Sequence, residues 1–545
     1  MPASKIVSNM FKAFHKMLYS KRLSILTGLL LLPFNGYASG ENQQIVDQLV
    51  KQAVDNSLWK KSEWLNLLHY NPKGNGYLSQ VDDENFFYAE HGKESPQEEL
   101  TATLKQLFKY AENPNQQTQC RYIARSEWLI NQLDIKKSLL PLVNCEEYLE
   151  WYEQAGADSI TLVFPAYHLN SPSSMFGHTL LRLDKSEISN SEWISFAVNF
   201  GADTSSDDAS LMYAYRGLAG GYPGLFITEP YFKKIQEYNR IEHRDIWEYR
   251  LNLTALETDR LIKHLWELKT INFDYYFFDE NCSYRLLELI EVARPGLELT
   301  DEFILTAIPV DTVRSIEKAQ LIESVKYRPA QVTEIQFLLN ELPEDQQDIV
   351  LQLSKDFSIS TKPEFNLLSP AQQKKIVSIS YKYLRYQNAQ KSRNPAIVKL
   401  SYQLLNLLNS YPAEINIDSS IPPPIFPEQG HKSKRFSMGF GESQDKQYMD
   451  IGFKMSFHDL EDNKNGFLQG AQINLGSINL RVKENESLKL ERLVLVDIFS
   501  LTPRNNFFEP MSWMINTGFE RQLTDNQDQL VYQLTGGGLV VVGNI

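Results

Sequence analysis

The stretch FDYYFFDENCSYRLLELIE, residues 273–291, decides how this chain is read. Tyr275 to Phe278 are all aromatic, and the polar break Asp279-Glu280-Asn281 precedes an apolar, helix-forming run. A helix is predicted to open at or near Asn281-Cys282 and to run through YRLLELIEVA until Arg294-Pro295-Gly296 stops it. Cys282 then stands in the first turn, outside the apolar stripe. There the positive end of the helix dipole and unbonded N–H groups meet the sulfur, which favours the thiolate. The same N–H groups can hold the oxyanion of a tetrahedral intermediate.

A thiolate nucleophile needs an imidazole within reach to take and return a proton. Upstream, SPSSMFGHTLLRL, residues 171–183, supplies one. His178 follows Gly177 at the start of a predicted strand, at a sheet edge that can face a helix terminus. The next strand, WISFAVNFGA, returns antiparallel toward the start of the first, so its late residue Asn199 is the first choice to orient the imidazole. Asp203 is the second. The plainer alternative is that Cys282 is a small core residue and His178 a satisfied structural group.

Outward from these two stretches the chain reads as α+β. ITLVFPAYHL, HTLLRLDK, WISFAVNFGA and IWEYRLNL are rich in β-branched and aromatic residues and are predicted strands. YFKKIQEYNRIE is a predicted helix. LTALETDRLIKHLWEL is an amphipathic one, with Thr254 and Glu257 at capping-box spacing. This central domain is placed at 158–320. Residues 41–157 before it and 321–417 after it are helical in pattern, and no internal repeat is seen.

A Pro-rich linker, 418–431, with four prolines from Pro422 to Pro427, holds an extended spacer ahead of a β-rich region, 432–545. There RFSMGFGE, YMDIGFKMSF, LQGAQINLGSINL and their successors alternate polar with apolar residues, the signature of antiparallel strands. Their lengths suit outer-membrane barrel strands of about 10 residues. A soluble β-sandwich fits the same alternation. Six or seven strands can be counted, so a barrel is incomplete on this reading.

Composition narrows the functional class. The 545 residues are 42% hydrophobic and 22% charged, which describes a folded protein of several structural units. The net charge of −14 excludes nucleic acid as an expected partner. Lys5, Lys12, Lys16, Lys21 and Arg22 lead into an apolar run from Leu23 to Phe34 that is too short to span a bilayer, with small residues up to Gly40. Residues 1–38 therefore read as a secretory signal, the alternative being an uncleaved anchor. In an exporting context Cys120 and Cys145, 25 positions apart, suit a disulfide, the alternative being two buried thiols. Cys282 is then the odd cysteine.

The remaining motifs carry less. YYFF at 275–278 and His264 are expected to pack in the core, His168 to line the cleft and His243 to lie at the surface. No HExxH or CxxC pattern is present, so no metal site or cofactor is expected. GLAGGYPG lacks the lysine of a phosphate loop and reads as a turn or cleft rim. No GxSxG supports a serine nucleophile.

The runs SPSSMFGHTLLRL, YRGLAGGYPGLF, RDIWEYRLNLT, HLWEL and YFFDENCSYRLLELIEVARPG, over roughly residues 118 to 315, resemble the Lnb N-terminal periplasmic domain family. The resemblance implies a circularly permuted papain-like fold, similar to NlpC-type peptidases, in which the histidine precedes the cysteine. It carries the catalytic roles to His178 and Cys282 and leaves the third residue unassigned. It also implies a periplasmic or outer-membrane location and an acyltransferase that moves a fatty-acyl chain from a lipid to a lipoprotein amine, at the envelope membrane surface. This chain departs from the family's namesake in having a cleavable-looking signal in place of membrane helices, and a β-rich tail. An NlpC-like amidase or peptidase, a lipid-ester hydrolase, or a non-enzymatic outer-membrane β-protein are the alternatives.

Overall fold

The computed structural model describes residues 38–169, 175–185, 194–203, 216–217, 220–389, 391–413, 415, 420–443, 446–524 and 527–542. The predicted signal lies outside them, as do Ser171 to Ser174 of the histidine motif. The chain falls into two units divided after Leu49, and the four sheets and the site lie in the second. The first contributes the start of a helix, Ala38–Asp55. Among the described residues, no helix is long and apolar enough to cross a membrane.

The centre is an antiparallel sheet of seven strands: β3 (Ser159–Pro165), β4 (Leu180–Asp184), β5 (Phe196–Ala202), β6 (Tyr222–Pro230), β7 (Ile246–Leu251), β8 (Phe273–Tyr275) and β9 (Ile322–Arg328). Their order is β8-β6-β5-β4-β3-β7-β9. The runs ITLVF in β3 and LLRL in β4 are buried throughout, because both faces of these inner strands are covered. On one face Val163, Leu180, Ala197 and Ile246 pack against Tyr231, Ile235 and Tyr238 of the segment that follows β6. Arg182, inside β4, is tolerated there by a 2.6 Å contact to Glu248 and a 2.7 Å contact to Asp184. Because β9 pairs with β7, the central sheet extends past residue 320, the boundary expected from sequence.

The helix Cys282–Ala293 is buried on every side. The region before the central sheet closes over it, so charged residues along it had to find partners. Arg285 Nη1 lies 3.0 Å from Glu288 and 2.6 Å from Gln80, and His69 Nδ1 lies 3.1 Å from the same Glu288. Glu291 accepts from the Thr300 N–H and hydroxyl. That covering region also holds a hairpin, β1 (Tyr70–Lys73) and β2 (Gly76–Ser79), and a disulfide joins Cys120 to Cys145 across 25 residues.

After the sheet, helices Gln331–Asn340, Glu344–Leu353, Pro370–Gln387 and Pro395–Ser410 share a core of Ile335, Val350, Ile376, Tyr383 and Leu404. The tail forms one six-stranded meander: β10 (Arg435–Ser443), β11 (Lys446–His458), β12 (Ala471–Lys483), β13 (Lys489–Ser500), β15 (Ser512–Thr524) and β16 (Gln527–Leu539). A two-residue strand β14 (Pro503–Arg504) pairs with β17 (Val541–Val542). In the loop between β14 and β15, Phe507 and Phe508 insert into the helical core, and the Phe507 carbonyl accepts from the Tyr383 hydroxyl at 2.7 Å.

Among the described residues the tail sheet does not close, in keeping with the six or seven strands counted from sequence. β10 and β16 are the two edges of the meander and are not paired with each other, and among the described residues the other sheet of the tail is the two-residue pair β14–β17, too small to form the second layer of a sandwich. One face at the near end is instead covered by the central domain: Ile473, Leu475 and Ile498 cluster with Leu169 and Met175, with Phe176 and Phe278 packed against them. At the far end, cross-strand register puts Phe436, Phe453, Ile478, Leu493, Phe519 and Tyr532 on one face. That face is open: Phe436 is 65% exposed and Phe440 77%. The opposite face holds ion pairs such as Arg481–Asp450 at 2.6 Å.

Candidate active site

Asn281 caps the helix: its side-chain oxygen accepts from the Ser283 N–H at 3.0 Å and the Tyr284 N–H at 3.3 Å. Its own amide donates to the Phe277 and Ala307 carbonyls, so the cap is locked from both ends. Cys282 is the first helical residue, 3% exposed. Two of the first-turn N–H groups expected to be available for an oxyanion are therefore engaged by Asn281. The Cys282 N–H is the first-turn donor at the sulfur that Asn281 does not take.

His178 precedes β4, and its ring Nδ1 stands 2.9 Å from Cys282 Sγ. Gly177 makes the approach possible: its φ is +89°, and a Cβ there would lie 2.6 Å from the Phe164 ring. Behind the imidazole, Nε2 is 2.7 Å from Asn199 Oδ1. The pairing Leu181↔Val198 between β4 and β5 brings Asn199 to that position. An oxygen acceptor at Nε2 selects the tautomer with its proton there, leaving the Nδ1 lone pair toward the thiol. Tyr238 sits across the imidazole, ring centroids 5.9 Å apart.

Burial acts to raise the Cys282 thiol. The His178 charge and hydrogen bond, the Thr179 N–H and the Ser283 hydroxyl outweigh it, and the thiol falls from 9.0 to about 7. The Thr179 hydroxyl donates to Ser283 Oγ at 3.1 Å, tying the histidine strand to the cysteine helix beside the reacting atoms. Sequence reading missed Thr179 and Ser283. The only signal for them was their place immediately after His178 and Cys282.

Other expectations meet the structure unevenly. Asp203 is exposed, four residues beyond Asn199, and its N–H donates to the Pro223 carbonyl. His264 is wholly buried, between Glu267 and His69. His243 is half-buried against Tyr386 rather than exposed, and burial pushes both it and His168 below the ordinary histidine value. Of YYFF, only Tyr275 is core; Tyr276 and Phe277 are half-buried because Gly220 and Gly217 press their backbone onto those rings.

Family models match four segments of the chain. Three are domains of unknown function: DUF7843 at residues 56–132, DUF7842 at 325–410 and DUF7840 at 424–539. No curated protein and no solved structure gave a match. The fourth model covers residues 147–319 and describes a periplasmic domain, which accords with an exported chain. That segment, which holds both Cys282 and His178, matches the model of the Lnb N-terminal periplasmic domain family.

Proposed function

We propose that the protein is an envelope thiol enzyme that moves an acyl group from a lipid ester, with Cys282 as nucleophile, His178 as base and Asn199 as the orienting group. The observation that carries this is the chain Sγ–Nδ1 at 2.9 Å and Nε2–Oδ1 at 2.7 Å, set at a capped helix start. A cysteine on a helix beside an antiparallel sheet, with the histidine just before one strand and its partner on the next, supports the permuted papain-like reading.

His178 Nδ1 takes the thiol proton, and Sγ attacks the ester carbonyl. The Cys282 N–H donates to the oxyanion. As the tetrahedral intermediate collapses, the C–O bond breaks and the imidazolium returns its proton to the leaving alcohol, so a thioester remains on Cys282. An incoming amine then attacks the thioester, gives its proton to Nδ1, and leaves as an amide while the proton returns to sulfur. Asn199 accepts from Nε2–H throughout and stabilises the imidazolium.

Lipid is favoured over peptide by what flanks the dyad. Met175 and Phe176 stand just before His178 and Phe278 just before Cys282, an apolar rim at the near end of the tail sheet. The open apolar face of that sheet offers a surface for the envelope membrane. Incubation with phospholipid vesicles, followed by intact mass and peptide mapping, tests the proposal. A hydroxylamine-labile acyl adduct on Cys282, absent in His178→Ala, is the expected result. Absence of an adduct in wild type, together with cleavage of peptidoglycan peptides, would move the assignment to an amidase.

A further inference from the structure

The joint between the central domain and the tail sheet carries a cluster that the thiol chemistry does not use. At the end of the Pro-rich linker, Arg314 of the central domain donates to the carbonyls of Glu428 at 2.9 Å and His431 at 3.0 Å, and also to those of Pro427 and Gly430. The His431 side chain turns toward the sheet. Its Nε2 is 2.9 Å from Nδ1 of His458, the last residue of β11. Asp462, in the following loop, brings a carboxylate oxygen, and the three donor atoms all lie within 4.8 Å of one another.

Two further contacts prepare these groups. His431 Nδ1 is 3.0 Å from the Lys432 carbonyl, a contact only a protonated nitrogen can make, so the tautomer that makes it turns the Nε2 lone pair to the cluster. The Phe467 ring stacks on both imidazoles, with centroids 4.2 Å from His431 and 4.0 Å from His458. The two imidazoles lie edge to edge against that ring, their planes 20° apart.

We propose that His431, His458 and Asp462 form a binding site for a divalent metal of the zinc class, the ion replacing the proton that otherwise bridges the two imidazoles. Ligand nitrogens on a tetrahedral zinc with bonds of about 2.0 Å stand about 3.3 Å apart, so the rings need to separate by only a few tenths of an ångström. Two imidazoles and one carboxylate suit zinc and its borderline neighbours, whereas calcium and magnesium require oxygen donors. The competing cations are placed mainly on the adjacent Asp459, which is 2.8 Å from Lys454 and 3.3 Å from Arg435. Asp462 Oδ1 lies 3.5 Å from Arg435, and its other oxygen accepts from the Asp459 N–H.

The site has a structural consequence. It ties a backbone segment gripped by Arg314 to the end of β11, and the near end of that same sheet packs on the loops that carry His178 and Cys282. The metal therefore acts as a staple that sets the tail sheet against the central domain. It leaves the fourth coordination position to water.

The test uses the full chain, stripped with a chelator and titrated with Zn²⁺ by calorimetry and with Co²⁺ by visible absorption. One equivalent should bind, with cobalt bands of a low-coordinate nitrogen–oxygen site. His458→Gln and Asp462→Asn should each weaken binding by about tenfold or more, and Cys282→Ser should leave it unchanged. Asp462 is in a loop, so Asp462→Asn decides the matter where His458→Gln lowers the yield of folded protein. No stoichiometric binding, equal binding in both variants, or loss of binding in Cys282→Ser would each overturn the proposal.

Discussion

Removing the imidazole should move the titration of Cys282 by about two pH units. In the folded protein the thiol sits at about 7, against an ordinary value of 9.0, although burial alone would raise it. His178→Ala deletes the largest opposing influence, so the thiol should return to 9 or above. At pH 7 the thiolate fraction then falls from about one half to about 1%, roughly a fiftyfold loss. The more basic thiolate is intrinsically about eightfold more nucleophilic, since reactivity rises by about 0.4–0.5 log units per pKa unit. The net loss of alkylation rate at pH 7 is thus about sixfold; it vanishes near pH 8 and reverses above it, the variant reacting about fourfold faster at pH 9. The assay is iodoacetamide labelling of Cys282, followed by mass spectrometry from pH 5 to 10. Superimposable pH–rate curves for the two proteins would refute the reasoning, because they would mean that the imidazole does not set the thiol's charge state.

Asn199→Ala removes a hydrogen bond to a group that becomes charged, worth about 1.5–3 kcal/mol, so acyl transfer should slow by about 10- to 100-fold. Asn199→Asp should recover part of that loss, and equal rates in all three proteins would exclude an orienting role. Gly177→Ala should destabilise the fold by about 1–3 kcal/mol in thermal melts, since its φ of +89° and the Phe164 ring 2.6 Å away both oppose a Cβ. Reducing the Cys120–Cys145 bridge, or the Cys120→Ser and Cys145→Ser pair, should cost about 3 kcal/mol by chemical denaturation, for the 25-residue loop it closes. Hydrogen bonds from Arg294 hold Glu257 at about 2, below its ordinary 4.5. Its folded pKa is depressed, so its contribution to stability is complete above about 4.5 and is lost as pH falls toward 2. Glu257→Gln should flatten the stability profile within that window and nowhere else.

The parts legible from sequence are those whose cause is local. Asn281 before Cys282 is a helix cap wherever the chain goes, because a short side-chain oxygen can reach the N–H groups two and three residues on. The Thr254–Glu257 capping box is equally local and is present as read. Alternation in RFSMGFGE and its successors marks strands for the same reason, since successive Cβ atoms point to opposite faces. What alternation leaves open is where a sheet ends and which of its faces is covered. The strand count left a barrel incomplete, and which strands stay as edges depends on pairing between β10 and β16, nearly a hundred residues apart in the chain. No short spacing joins the linker to the end of β11 either, so the grouping of His431, His458 and Asp462 is not legible in the sequence.

The sequence by itself determined the element types, the odd cysteine at a helix start, and a histidine ahead of it at a strand edge. Each of these follows from side-chain chemistry within a few residues. Only the tertiary structure decided that Nδ1 meets Sγ at 2.9 Å, that β4–β5 register delivers Asn199 to Nε2, and that the tail sheet stays open and docks beside the dyad. Such distances depend on strand register, and register is settled by burying the whole sheet at once.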